Sequence, residues 1–398
     1  MAAIRVSYNG RYFVDEQGKP FFWLGDTLWE LFRAFTPDDA RSILEHRRKQ
    51  GFTVIQVMLT GVGDGAKPNA AGQTPWLNHD PAHPNEAYFR NVDHLVDFAG
   101  KLGLILIPGV YHQVHRAALK KENARGYARW IATRYRDVPH IVWTLYPEAR
   151  EEFVPVIREV VAGLREGDSG AHMITMHPDP SPTSSSFMHD EEWLAFNMIQ
   201  PWQSYELQYP MVSADYKRQP PKPVIMAEGG YEGVHYTKVH APWLIRRQAY
   251  WAYLAGGFHT YGHASSHLRP PETWRSWINS PGAIQMGLCR QILTGLREWW
   301  GLVPDQSLFA AGEGSGMTLN AAARCQRGGW ALVYLSSSTT VSVGLERAGA
   351  GRPLAASWID PTTGAAKEIG GVPGTGVASF STPDGWEDAL LLLKVQEG

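Results

Sequence analysis

Between residues 21 and 304 the chain alternates short, almost continuously apolar runs with longer segments whose apolar residues fall at helical spacing, and few folds accommodate that rhythm. The runs cover residues 21–25, 53–59, 104–110, 141–145, 173–177, 195–200, 223–228 and 258–262. Strands so uniformly apolar are buried on both faces, as in a parallel sheet covered by helices. Helices are predicted over 37–50, 122–136, 242–255 and 283–300. In the first of them Thr36 can cap, Pro37 opens the first turn and Gly51 follows the end. Eight β-α units in about 280 residues match the α/β class and the (β/α)8 TIM barrel, which usually takes ~250 residues. A doubly wound open sheet is the alternative, but no G-x-G-x-x-G turn follows the first run.

Ahead of the barrel, residues 4–14 and the turn at 15–18 read as a β-hairpin that closes its N-terminal end. Past Leu302 the texture changes to short β-rich runs at 330–335, 340–345, 355–359, 376–381 and 389–395, separated by Gly, Pro and Ser turns. That pattern predicts a C-terminal antiparallel β-sandwich. The expected division is a catalytic barrel at 1–301 and an accessory β domain at 302–398, docked because the linker at 301–305 is short.

Composition narrows the function. Thirty-seven Lys and Arg against 39 Asp and Glu give a net charge of −2, so nothing draws the chain toward nucleic acid or an anionic membrane surface. With Cys289 and Cys325 as its only cysteines, it has neither a disulfide framework nor a cysteine-based zinc site. No leader-like segment opens the sequence and no run approaches about 18 apolar residues. A cytoplasmic location is expected for the sequence as written, and a secreted or periplasmic one had a leader been removed. Aromatic residues are abundant, with 16 Trp, 16 Tyr and 14 Phe. Most belong in a large core; those at strand ends are candidates to stack on sugar rings.

A barrel presents its chemistry at the carboxyl ends of its strands. The strand ends carry Asp26 and Trp29, Gln56, Tyr111 and His112, Glu148, His177, Gln200 and Trp202, Glu228 and Tyr231, and Tyr261 and His263. Glu148 after strand four and Glu228 after strand seven are the paired carboxylates that glycosidic bond hydrolysis requires. The alternative for either is a first-turn acid on the following helix. Asp26 either binds a substrate hydroxyl or anchors a loop, and Trp29 and Trp202 either stack on sugar or pack in the core. His112, His177 and His263 raise the possibility of a metal, yet neither a His-x-His first strand nor an H-E-x-x-H pattern is present, so no metal or cofactor is expected. His189, His235, His240 and His267 lie away from strand ends and read as ordinary surface or core residues. The hydroxyl-rich run at 181–186 is a rim loop, and no G-x-S-x-G marks a serine hydrolase.

Several segments together carry a resemblance: Trp23-Leu24-Gly25-Asp26-Thr27-Leu28-Trp29, Gly51-Phe52-Thr53-Val54-Ile55-Gln56, Glu122-Asn123-Ala124-Arg125, Pro223 to Gly233, Arg247-Gln248-Ala249-Tyr250-Trp251 and Tyr261-Gly262-His263. Leu302-Val303-Pro304-Asp305 and Trp358 to Gly364 extend it into the C-terminal part. The sequence resembles the apiosidase-like glycoside hydrolases, barrel proteins often followed by a small β domain described as collagen-binding. The resemblance implies glycoside hydrolysis, with targets that include side-chain sugars of plant cell-wall polysaccharide. It puts the family's acid/base on Glu148 and its nucleophile on Glu228. Where the family usually has Gly-Gly before the strand-four carboxylate, this chain has Tyr146-Pro147, so substrate specificity is not carried over. The collagen-binding description implies a β-sandwich accessory without specifying its ligand.

The expected protein is therefore a glycosidase acting on an oligosaccharide or glycoside of a plant or microbial glycan. Retention follows the family's barrel relatives; exo action follows the short loop after strand four and the His- and Trp-rich rim. Two alternatives stay open: a non-catalytic carbohydrate-binding barrel, and a metal-dependent hydrolase of another bond.

Overall fold

The computed structural model describes residues 3–62, 65–110, 112–234 and 239–396, with the side chains of 146–148 and 267–268 outside the description. The barrel strands are β1 (Leu24–Thr27), β2 (Val54–Met58), β3 (Ile105–Gly109), β4 (Trp143–Ala149), β5 (Ile174–Pro178), β6 (Asn197–Ile199), β7 (Val224–Met226) and β8 (Phe258–Gly262). They pair in parallel in the order β5-β4-β3-β2-β1-β8-β7-β6. The seam between β5 and β6 is closed by a parallel bridge of Ile174 with Leu194 and by the Thr175 hydroxyl, which donates to Phe196 O at 2.8 Å. The predicted barrel is present.

Seven longer helices surround it: α1 (Pro37–Lys49), α2 (Glu86–Lys101), α3 (Lys121–Arg134), α4 (Val154–Asp168), α5 (Gln208–Tyr216), α6 (Pro242–Leu254) and α7 (Pro281–Thr294). Thr36 caps α1 as its sequence suggests, its hydroxyl accepting from the Asp39 N–H at 3.2 Å. The last helix is shorter than predicted, ending at Thr294 with Gly295 next.

The first barrel strand begins three residues later than its apolar run. Pro20 and Phe21 instead pair with Val14 and Phe13 in a three-stranded N-terminal sheet. That sheet plugs the bottom of the barrel: the Phe13 ring lies 5.2 Å from those of Trp23 and Phe196 and 5.9 Å from that of Phe258. The shift puts Asp26 inside β1 rather than beyond it.

The C-terminal part is two antiparallel sheets. Six strands run in the order Leu302–Pro304, Ala321–Cys325, Trp330–Leu335, Ala389–Val395, Leu354–Ile359 and Ala366–Val372; three more, Phe309–Ala311, Thr340–Gly344 and Val377–Ser381, face them. Trp330–Leu335 is buried along its whole length because both its faces are covered. Val333 and Leu335 meet the smaller sheet, while Trp330, Leu332 and Tyr334 join the barrel core. The contact is also polar. Arg246 of α6 donates twice to Asp388, at 2.7 and 3.1 Å, the Tyr334 hydroxyl donates to the same carboxylate at 2.8 Å, and Tyr250 stacks on Tyr334. This docking explains why α6 is buried on every side from Leu244 to Leu254, polar residues included.

Candidate active site

Glu228 stands two residues beyond the end of β7, buried to 9% of its full exposure. Its Oε2 lies 3.5 Å from Nε2 of His177, a fully buried residue at the carboxyl end of β5. The Nδ1 of His177 donates to Pro178 O at 3.1 Å, which leaves Nε2 as the nitrogen that faces the carboxylate. Tyr231, three residues past Glu228, is buried and hydrogen-bonded to it. The indole N–H of Trp29, from the loop after β1, donates to the Tyr231 oxygen at 3.0 Å. An indole can only donate, so the tyrosine spends its own proton on Glu228, and the three groups form one polarised chain. Burial, reinforced by the negative charge of Glu228, pushes the Tyr231 hydroxyl far above its ordinary range, so it stays a donor. Trp29 also sets its ring edge-on to His177, with centroids 5.7 Å apart. Side chains from β1, β5 and β7 thus converge on one carboxylate.

Gln56 of β2 supports this cluster from within the barrel. Its amide donates to Ala227 O at 3.3 Å, fixing the residue before Glu228, and approaches the Thr27 hydroxyl at 3.4 Å. Among the described residues its Oε1 finds no partner, and neither does Oε1 of Gln200, just past β6. Trp202 takes a left-handed backbone with φ of 45°, uncommon for so bulky a residue, and its N–H donates to Glu228 O at 3.3 Å.

Other predicted residues are held elsewhere. Asp26 points into the strand-helix layer, where its Oδ2 accepts from Nε of the fully buried Arg47 at 2.6 Å. Burial lifts its carboxyl to about 6 against the pull of that guanidinium. Tyr261, Asp26's neighbour in register, faces the same layer, and its hydroxyl donates to Glu232 at 2.6 Å. Glu232 in turn accepts from the Ser280 hydroxyl and the Gly282 N–H, serving the N-terminus of α7. The alternation along each strand explains both: one residue inward, the next outward. Neither side chain reaches the Glu228 cluster. His112 is buried as the cap of a short 3-10 turn, accepting from the Val114 N–H at 3.2 Å, and burial lowers its imidazole to about 4. His263 is half-buried, stacked on Trp277, and likewise lowered to about 4, chiefly by burial.

Glu148 is the sixth residue of β4, at its carboxyl end, but its side chain, with those of Tyr146 and Pro147, lies outside the described residues, as does Tyr111. The same is true of His235 and of the His267 side chain. Two neighbours of Glu148 went unnoticed in the sequence. Arg150 pairs with Asp179, and the Asp179 N–H donates to Ala149 O at 3.1 Å, tying the ends of β4 and β5 together. Nothing in the chain signals that pairing except an acid after a strand end. Among the described residues, no group of three or more His, Cys, Asp and Glu side chains is gathered as a metal would need, and no helix is long and apolar enough to cross a membrane.

A parallel eight-stranded barrel that gathers a buried carboxylate, a tyrosine, a histidine and a tryptophan at the carboxyl ends of its strands has the form of a barrel glycosidase. Comparison with known proteins agrees. The family model described as "Apiosidase-like, catalytic domain" matches residues 7–300, and that described as "Putative collagen-binding domain of a collagenase" matches 303–394. A solved structure described as a glycoside hydrolase superposes with a TM-score of 0.91 at 25% identity, covering 99% of this chain and 97% of its own. A glycoside hydrolase family 5 protein from Bacteroides vulgatus ATCC 8482 follows at 0.90 and 24% identity, covering 99% and 93%. No curated protein matches the chain. The protein is a glycoside hydrolase. It belongs to the apiosidase-like family.

Proposed function

We propose that the protein releases a terminal sugar from a glycoside or oligosaccharide with retention of anomeric configuration, using Glu228 as nucleophile and Glu148 as acid/base. The observation that carries this reading is the setting of Glu228, a carboxylate at the end of β7 that accepts from Tyr231 and faces His177. Glu148 protonates the glycosidic oxygen as Glu228 attacks the anomeric carbon, forming a covalent glycosyl-enzyme. Glu148, now ionised, then takes a proton from water as the water displaces Glu228. In such a mechanism the two carboxyl groups stand ~5–5.5 Å apart. Trp202 and Trp29 are the candidates to line the sugar; Gln56 and Gln200 are buried and support the residues that line it. His112 and His263 are candidates for the rim. Residues 1–301 form the catalytic unit, and 302–398 an accessory unit that covers the apolar outer face of α6.

The test is hydrolysis of aryl glycosides, pyranosides and furanosides in both anomers, with apiofuranosides included because of the family's description. Wild type, Glu228→Gln and Glu148→Gln are compared. One glycoside is expected to be cleaved, with both substitutions lowering kcat by several orders of magnitude. Cleavage that survives Glu228→Gln overturns the assignment.

A further inference from the structure

The loop that carries Glu228 and Tyr231 contains Gly229 and Gly230, and neither takes a positive φ, so backbone freedom is not what requires glycine there. Space is. A Cβ on Gly229 would lie 2.6 Å from Oε1 of Gln248, and one on Gly230 would lie 2.7 Å from the His240 ring. The loop is gripped from both sides. Gln248, on α6, accepts from the Gly230 N–H and donates to the Gly230 carbonyl, both at 2.9 Å. The side chain is 2% exposed, and Gln208 of α5 donates to it at 3.1 Å, fixing the orientation of the amide. On the other side, His240 donates from Nδ1 to Tyr231 O at 3.0 Å, while its Nε2 meets the Tyr205 hydroxyl.

We propose that Gln248 is a positioning residue for Tyr231 and, through the hydrogen bond of that tyrosine, for Glu228, acting through the N–H and C=O of the adjacent Gly230. The proposal rests on the reading of Glu228 as nucleophile and adds the device that sets where it stands. Both polar groups of one loop residue are satisfied by one rigidly held amide, so the loop cannot rotate about Gly230 without leaving buried groups unpaired. That residue lies between the carboxylate and the tyrosine that donates to it, next to the tyrosine. Small displacements of a reacting group are costly in rate, whereas substrate contacts made by other loops are untouched.

The experiment uses the full chain and the glycoside selected by the panel. Gln248→Met keeps the shape and removes both bonds. It is expected to lower kcat per folded enzyme at least about tenfold while KM stays within about threefold. Because the effect runs through Tyr231, the same substitution made on Tyr231→Phe should cost no more than about threefold. Arg246→Met is the control: it sits on the same helix but faces the C-terminal sheets, and is expected to lower stability with kcat within about threefold of wild type. Gly230→Ala displaces the loop from the His240 side and gives the same kcat loss if Gln248→Met does not fold. A kcat for Gln248→Met close to wild type overturns the proposal, as does an equal loss in both backgrounds or an equal loss from Arg246→Met. If Glu228→Gln is inactive while Gln248→Met is normal, the positioning role alone fails. If Glu228→Gln retains activity, or no glycoside is cleaved, the nucleophile reading fails and this proposal with it.

Discussion

Removing one oxygen, by Tyr231→Phe, breaks the chain from Trp29 through Tyr231 to Glu228 at its centre and changes nothing else in the shape of the site. Two costs follow, and they separate. The hydrogen bond to an ionised carboxylate contributes ~1.5–3 kcal/mol. At 1.36 kcal/mol per tenfold in rate, kcat/KM should fall roughly 10- to 100-fold if that bond holds the nucleophile in its attacking position. The second cost is to stability. The Trp29 indole N–H, on a residue only 5% exposed, loses its acceptor, which costs about 1–3 kcal/mol. The carboxylate loses a donor to its charged form, so the acidic limb of the pH–rate profile moves to higher pH. The assay is kcat/KM across pH 4–9 together with urea unfolding of the same preparations. A variant that keeps wild-type kcat/KM and an unmoved acidic limb would refute the claim that Tyr231 supports a working carboxylate. Lost stability with unchanged kinetics would confine the tyrosine to a structural role.

Three further outcomes are expected. Asp388→Leu alone leaves the Arg246 guanidinium buried with, among the described residues, Glu387 and Gln285 for partners and should cost ~3–5 kcal/mol, whereas Arg246→Met with Asp388→Leu should recover most of it; paired urea titrations decide. His259 is fully buried, both its ring nitrogens lack a partner among the described residues, and burial lowers it to about 3. The unfolded chain therefore takes up a proton below its ordinary value of about 6.5 while the folded chain does not, so stability is present above that value and lost as pH falls. His259→Leu should lose ~2 kcal/mol less than wild type between pH 7 and pH 5 in unfolding experiments. Gly25→Ala would set a methyl 2.6 Å from the Thr260 hydroxyl inside the barrel, and should destabilise by ~1–3 kcal/mol in the same assay.

The barrel was legible because eight apolar runs at regular spacing admit few arrangements, and the change of texture near residue 302 marked where the antiparallel sheets begin. Strand parity was not legible. Phe21 looks like the start of the first barrel strand, but it pairs with the N-terminal sheet. The barrel strand runs from Leu24 to Thr27, so Asp26 lies within it, on the face that meets Arg47. Tyr261 follows Asp26 because the two are partners across β1 and β8. Trp29, His177, Glu228 and Tyr231 were each readable as strand-end residues, but that they form one connected cluster depends on the barrel's closure. His240 and Gln248 were beyond sequence reading. Their partners are backbone groups of Tyr231 and Gly230, 9 and 18 residues away, and no composition or spacing announces such a bond.

The central claim is that Glu228 attacks the sugar, and covalent trapping addresses it most directly. Wild-type enzyme would be incubated with the 2-deoxy-2-fluoro analogue of whichever glycoside it cleaves, carrying a good leaving group, then digested and mapped by mass spectrometry. The account predicts a single glycosyl adduct on the peptide spanning 224–232, localised to Glu228, with the first product formed from the parent glycoside keeping the substrate's anomeric configuration. An active enzyme that yields no adduct and an inverted product, or an adduct on any other residue, would contradict it.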